Sequence, residues 1–168
     1  MKKLFLIRHA KSSWSDETLS DFERPLSKRG KRNIPLMASI LKEKEVLPDC
    51  ILSSPALRAK KTAKLLAKGI GFTHPILYDK TLYEGDKEEI HEAIISMDES
   101  CNTLFVVGHN PGLNDLAKHY AGFSQNIVTC GIVEIAFEVQ TWKEIVPKAA
   151  KLLSFEFPKK YTSETRDE

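Results

Sequence analysis

The chain has 168 residues and a mass of 19.0 kDa, with 42% hydrophobic and 29% charged residues, proportions that suit one globular domain with its own core. Its 25 Lys and Arg against 23 Asp and Glu leave a formal charge of +2, too balanced to argue for a nucleic-acid partner. The apolar run at residues 4–7 is too short for a secretion signal (roughly 7–15) or a membrane span (about 20), and Cys50, Cys101 and Cys130 are scattered without a Cys-x-x-Cys, so the expectation is a reduced, cytoplasmic protein with core thiols, no membrane segment and no cofactor.

In chain order, residues 3–7 read as a strand buried on both faces, and the Ser- and Asp-rich residues 11–23 as a loop. A helix is expected over 27–45 from the spacing of Ile34, Met37, Ala38, Ile40 and Leu41. Pro35 either lies in the first turn of a helix starting near Asn33 or kinks one that starts earlier. Residues 49–53 form a second strand. Ser54-Pro55 then reads as an N-cap with proline at the first helical position, and the helix stops at Lys68-Gly69. A short strand at 75–78, a helix at 87–97, a third strong strand at 103–107 and a helix at 113–120 follow. Residues 132–139 and 152–157 are β-rich and are expected to pair as an antiparallel arm around Trp142 and Pro147. The domain closes near residue 158, and 159–168 is a polar, flexible tail.

Strands alternating with helices predict an α/β fold, a three-layer α/β/α sandwich around a mostly parallel, mixed sheet. Ligands bind such sheets beyond the carboxyl ends of the strands. The chemistry-bearing residues fall there: Arg8-His9 after the first strand, Ser53 to Arg58 after the second, Gly108-His109 after the third.

A phosphoryl group in transfer spreads negative charge over its oxygens, so its catalysts rely on positioning and positive charge. Arg8 and Arg58 supply planar forks of N–H donors suited to phosphate, and His109 a further donor. The nucleophile is narrowed by elimination. No cysteine is followed by five residues and an arginine, and neither Asp-x-Asp-x-Thr nor a Gly-x-x-x-x-Gly-Lys-Ser/Thr loop occurs. That leaves His9, whose neutral imidazole attacks phosphorus well and whose N–P bond water can break. Two nearby arginines also disfavour imidazolium.

Arg8-His9-Ala10-Lys11-Ser12, Asp21-Phe22-Glu23-Arg24-Pro25-Leu26-Ser27-Lys28-Arg29-Gly30, Ser53-Ser54-Pro55-Ala56-Leu57-Arg58-Ala59 and Gly108-His109-Asn110-Pro111-Gly112 resemble the histidine phosphatase superfamily, the phosphoglycerate-mutase-like group, and within it the small SixA-type phosphohistidine phosphatases. The resemblance implies His9 as nucleophile and Arg8, Arg58 and His109 as the phosphate pocket. It also implies an acidic residue between the second and third blocks, where Leu82-Tyr83-Glu84 offers Glu84 as acid, water-positioning base or bystander. Arg24 either reaches the pocket or pairs with Asp21 to hold its loop.

The implied activity is a metal-independent phosphatase working through phospho-His9. Its expected substrate is phosphohistidine on a protein, since little chain remains to build a lid. A phosphatase for a small phosphorylated metabolite is the rival within enzymes, and a non-catalytic phosphoprotein-binding module the rival outside them. His74, His91 and His119 fit no motif, no histidine–cysteine pair has metal-ligand spacing, and the basic runs Lys28-Arg29-Gly30-Lys31-Arg32 and Lys60-Lys61 read as solvated helix faces.

Overall fold

The structure, a computed structural model, describes residues 1–162. One mixed sheet runs through it, built from β1 (Lys2–Arg8), β2 (Cys50–Ser53), β3 (Leu77–Tyr78), β4 (Thr103–Gly108), β5 (Ile132–Phe137) and β6 (Lys151–Glu156) in the order β3-β2-β4-β1-β5-β6. β3, β2, β4 and β1 are mutually parallel, while β5 runs antiparallel to β1 and β6 to β5. The α/β/α sandwich on a mostly parallel sheet is therefore as expected. β5 and β6 do pair antiparallel, yet they extend the central sheet and form no separate arm. Trp142 between them is buried, its Nε1 donating to Cys101 O at 2.7 Å.

Strand alternation splits the core in two. Leu4, Leu6, Leu52, Leu104 and Val106 face α3 (Thr81–Glu84), α4 (Lys87–Ile95) and α5 (Gly112–Ala121) through Leu82, Ile90 and Leu113. Phe5, Ile7, Ile51, Phe105 and Val107 face α1 (Lys28–Glu43) and α2 (Leu57–Ile70) through Ile34, Met37, Ala63 and Leu66. Residues so fully buried contribute about 1.5–3 kcal/mol each against exposure.

At α1 the structure takes the earlier of the two starts the sequence left open, and both ends of α2 differ from the sequence reading. α1 starts at Lys28, with the Ser27 side chain accepting from Gly30 N, and runs continuously through Pro35, so the start near Asn33 is not the one adopted. α2 starts at Leu57 rather than just after Ser54, because Ser54 Oγ accepts from Ala56 N and faces His109 instead of capping a helix. It ends at Ile70, where Gly71 takes the left-handed C-cap at φ +81°. Gly69 lies inside the helix, where an added Cβ would stand 2.5 Å from Ala38 Cβ. It is a point of close helix approach and no stop.

Beyond β6 the chain forms a 3-10 turn at Pro158–Lys160. Lys160 Nζ donates to Phe155 O and Glu156, and Tyr161 Oη to Glu156. The expected flexible tail otherwise lies at 163–168, outside the described residues.

Candidate active site

The strands that carry the sequence blocks are neighbours, with β4 between β1 and β2. Their carboxyl ends open side by side. His9 follows β1 directly, and its N–H donates to Gly108 O at 3.1 Å. From the other side Cys130 N donates to Arg8 O at 3.1 Å and His9 O at 3.0 Å. The His9 backbone is thus clamped between β4 and the residues leading into β5.

His9 is 7% exposed, and its Nδ1 lies 2.8 Å from Ala10 O. A carbonyl only accepts, so Nδ1 carries the hydrogen and Nε2 keeps a lone pair. Burial, with smaller contributions from His109, Arg58 and Arg8, outweighs the Ala10 contact and lowers the His9 pKa from 6.5 to about 3. The ring is neutral at physiological pH.

His109, after β4, faces His9 with ring centroids 5.0 Å apart. Its Nε2 is 2.8 Å from Ser54 Oγ. That hydroxyl also accepts from Ala56 N, and in the tautomer in which it donates to His109 Nε2 the ring hydrogen lies on Nδ1. Burial first, then Arg58, pushes the His109 pKa down to about 4.

Arg58, in the first turn of α2, is 5% exposed. Its Nη1 donates to Asp21 O at 2.6 Å and its Nη2 to Asp21 Oδ2 at 3.0 Å. Arg8 Nη1 donates to Ile127 O at 3.1 Å, and burial followed by the Arg58 charge lowers its pKa. Arg8 Nε, Arg58 Nε and His109 Nδ1 are buried without a hydrogen-bond partner. Buried N–H groups are rarely left unpaired, and three around one imidazole make a ready-made cradle for anionic oxygens.

Of the two roles the sequence left open for Arg24, the structure shows the pairing with Asp21. Its Nε and Nη2 donate to Asp21 Oδ1 at 3.3 and 3.2 Å and its Nη1 to Ser12 Oγ at 2.7 Å, while its guanidinium lies 3.5 Å from the Trp14 ring centroid. Through Asp21 it is wired to Arg58. Tyr83 joins the same group, its Oη donating to Asp21 Oδ2 at 2.8 Å and its ring standing edge-on to His109 with centroids 5.4 Å apart. Against the opposing effect of burial, the Tyr83 and Arg58 hydrogen bonds hold the Asp21 carboxyl down at about 2.

His9, His109, Arg8 and Arg58 are therefore brought together, and Arg24 is linked to them by one carboxylate. Glu84 is exposed at the end of α3 and takes no part in this hydrogen-bond network. Its neighbour Tyr83 is the residue from that helix that reaches the site. Sequence reasoning missed the site roles of Tyr83, Ser54 and Asp21. Among the described residues no group of three or more His, Cys, Asp or Glu side chains is arranged to hold a metal ion, and none of the helices is long and apolar enough to cross a membrane.

Comparison with known proteins agrees with this architecture. Residues 4–123 match the model of the histidine phosphatase superfamily, branch 1. An uncharacterized chloroplastic protein of Arabidopsis thaliana is 34% identical over 152 residues, 85% of this chain and 70% of its own length. Among solved structures, the protein histidine phosphatase SixA complexed with tungstate superposes with a TM-score of 0.83 at 20% identity, covering 95% of this chain and 99% of that one. A putative α-ribazole-5'-P phosphatase from Escherichia coli K-12 superposes with a TM-score of 0.72 at 16% identity, covering 94% and 98%. With the fold of SixA and a family model matched over most of its length, this chain belongs to the histidine phosphatase superfamily.

Proposed function

We propose that the protein is a metal-independent phosphatase that carries the phosphoryl group on His9 and takes it from phosphohistidine on another protein. The observation that carries the reading is the His9 ring itself: buried, neutral, with Nδ1–H tied to Ala10 O and the Nε2 lone pair beside unpaired N–H donors. In the first step Nε2 attacks phosphorus and the substrate's P–N bond breaks. The leaving imidazole departs neutral when its other nitrogen already carries a proton. Water then attacks phospho-His9, inorganic phosphate leaves, and Nε2 regains its lone pair. Arg8, Arg58 and His109 Nδ1–H hold the phosphoryl oxygens through both steps, which is the electrostatic contribution phosphoryl transfer requires.

The substrate clause is supported by the state of the acids. Asp21, the carboxyl group wired into the site, is ionised and engaged by Arg58, Arg24 and Tyr83. It is no proton donor at neutral pH. An alkoxide leaving group needs such a donor, whereas imidazole, which titrates near pH ~6.5, does not. The solved structure of similar fold named as a protein histidine phosphatase fits this reading, and the one named for a small phosphorylated metabolite marks its rival.

A substrate panel separates the two. Phosphohistidine peptide, phosphoserine peptide and small sugar phosphates are turned over by wild type and by Glu84→Gln. The expected result is phosphohistidine cleavage within about twofold of wild type in the variant, since an exposed group outside the network removes little when neutralised. Comparable turnover of alkyl phosphates together with its collapse in Glu84→Gln would place the protein among metabolite phosphatases.

A further inference from the structure

Arg8 lines more than the His9 site. It also forms one wall of a cleft of about 330 Å³ whose other walls include Lys11, Arg29, Lys159, Asn33 and Phe157. The cations come from separate segments: the end of β1, the residues after His9, the first turn of α1, and the turn after β6. No acidic side chain is among the described residues of the lining. Like charges gathered around one concave surface repel each other and raise the local concentration of anions.

The cleft is also built rather than incidental. Lys11 O accepts from Ser27 N at 2.9 Å and Ser27 Oγ at 3.1 Å, which fixes the Lys11 backbone against the start of α1. Gly30 allows that approach, because a Cβ there would stand 2.2 Å from Lys11 O. On the other wall, Lys160 ties the turn that carries Lys159 to Phe155 O and Glu156. Arg29 and Lys159, which the chemistry at His9 leaves unused, thereby share one cleft.

We propose that this cleft is a subsite for a second anionic group on the substrate, a carboxylate or phosphate a few bonds from the phosphoryl group being transferred. The proposal rests on the His9 reading, since Arg8 is shared: it contributes an unpaired Nε to the phosphoryl cradle and a wall to the cleft. The second anion is supplied either by a small dianionic molecule or by an acidic side chain near the phosphorylated residue of a protein. The chemistry that recognises it is the same.

Equilibrium binding of non-hydrolysable probes to the full chain tests it. One series is ω-phosphonocarboxylates of increasing length, the other alkylphosphonates matched in length, each titrated by calorimetry into wild type and into Lys11→Gln/Lys159→Gln. A third arm uses peptides bearing a phosphonate mimic of phosphohistidine flanked by Glu or by Gln. The expected result is a preference of about fivefold or more for the carboxylate-bearing probe at one chain length in wild type, with most of it lost in the double variant. Alkylphosphonate affinity stays unchanged, because Arg8, Arg58 and His109 are intact. A preference confined to the peptides identifies a protein substrate, and one confined to the short probes a small molecule; either supports the subsite. Equal binding of both series by wild type, or a preference that survives the double variant, overturns it and leaves the His9 reading untouched. Failure of every phosphonate to bind wild type would overturn the phosphoryl cradle itself, and the subsite with it.

Discussion

The two ends of the sheet treat buried cations in opposite ways. At the amino-terminal end of β1, Lys2 is 1% exposed and its ammonium donates to Glu99 O at 2.7 Å, Cys101 O at 3.0 Å and Asn102 Oδ1 at 2.9 Å. Its three hydrogens have three acceptors. At the carboxyl end of the same strand, Arg8 and the neighbouring Arg58 and His109 each keep a buried nitrogen without a partner. An unmade buried hydrogen bond costs about 1–3 kcal/mol, so a fold that fills all three donors of Lys2 at one end and leaves several empty at the other is spending stability on a ligand. A charge with all its acceptors belongs to the architecture. One still short of them belongs to the chemistry.

The contrast is open to direct attack, and the largest effect is expected at the site. Arg58→Ala should lower kcat/KM on the preferred substrate by about 10²- to 10³-fold, the usual consequence of removing one preorganised donor from the developing charge. Its denaturation midpoint should move little, because Asp21 retains Arg24 and Tyr83. Steady-state kinetics paired with urea unfolding checks both halves. At the other end the pattern reverses. Lys2→Ala should leave kcat/KM within about twofold while destabilising the fold by about 2–3 kcal/mol, since Glu99 O and Asn102 Oδ1 lose the ammonium and Cys101 O keeps only Trp142 Nε1. A variant at position 2 that lost activity while keeping its stability would break the comparison.

A smaller effect sharpens it through pH. His9 and His109 have pKa values near 3 and 4 in the folded chain against an ordinary 6.5. Above pH 6.5 both folded and unfolded chains hold these rings neutral, so the histidines add no pH dependence there. As pH falls below 6.5 the unfolded chain takes up protons that the folded one refuses, and stability drops towards pH 4 and 3. The loss between pH 8 and 6 should be on the order of 2 kcal/mol for the two rings together, and should shrink in His9→Gln/His109→Gln. Unfolding curves at fixed ionic strength measure it.

How much of this is legible in the sequence follows from which signals are local. β1, β2 and β4 read clearly because strands buried on both faces are continuous apolar runs, and the blocks after them fall where a parallel sheet puts its ligands. His9, Arg8, Arg58 and His109 were reachable for that reason. The helix stop was misplaced because Gly69 and Gly71 look alike in sequence. Only the helix contact at Ala38 and the positive φ of Gly71 tell them apart. Ser54-Pro55 mimicked a helix start because a serine that bonds to a histidine across the sheet leaves no local trace. Tyr83 was passed over for its neighbour since a single-turn helix has no periodicity to show which side chain faces inward. Asp21 is visible three residues before Arg24, but its hold on Arg58, 37 positions later in the chain, is a fact of the fold alone.

The central claim, that His9 carries the phosphoryl group, is tested most directly by trapping it. Wild type and His9→Ala are mixed with a phosphohistidine donor, quenched in alkali within the first turnover, and the bound phosphate located by mass spectrometry. The account predicts an acid-labile, base-stable phosphate on His9 of wild type and none on His9→Ala, which releases phosphate at least about a thousandfold more slowly. Phosphate found on another residue, or turnover by His9→Ala at an undiminished rate, would contradict it.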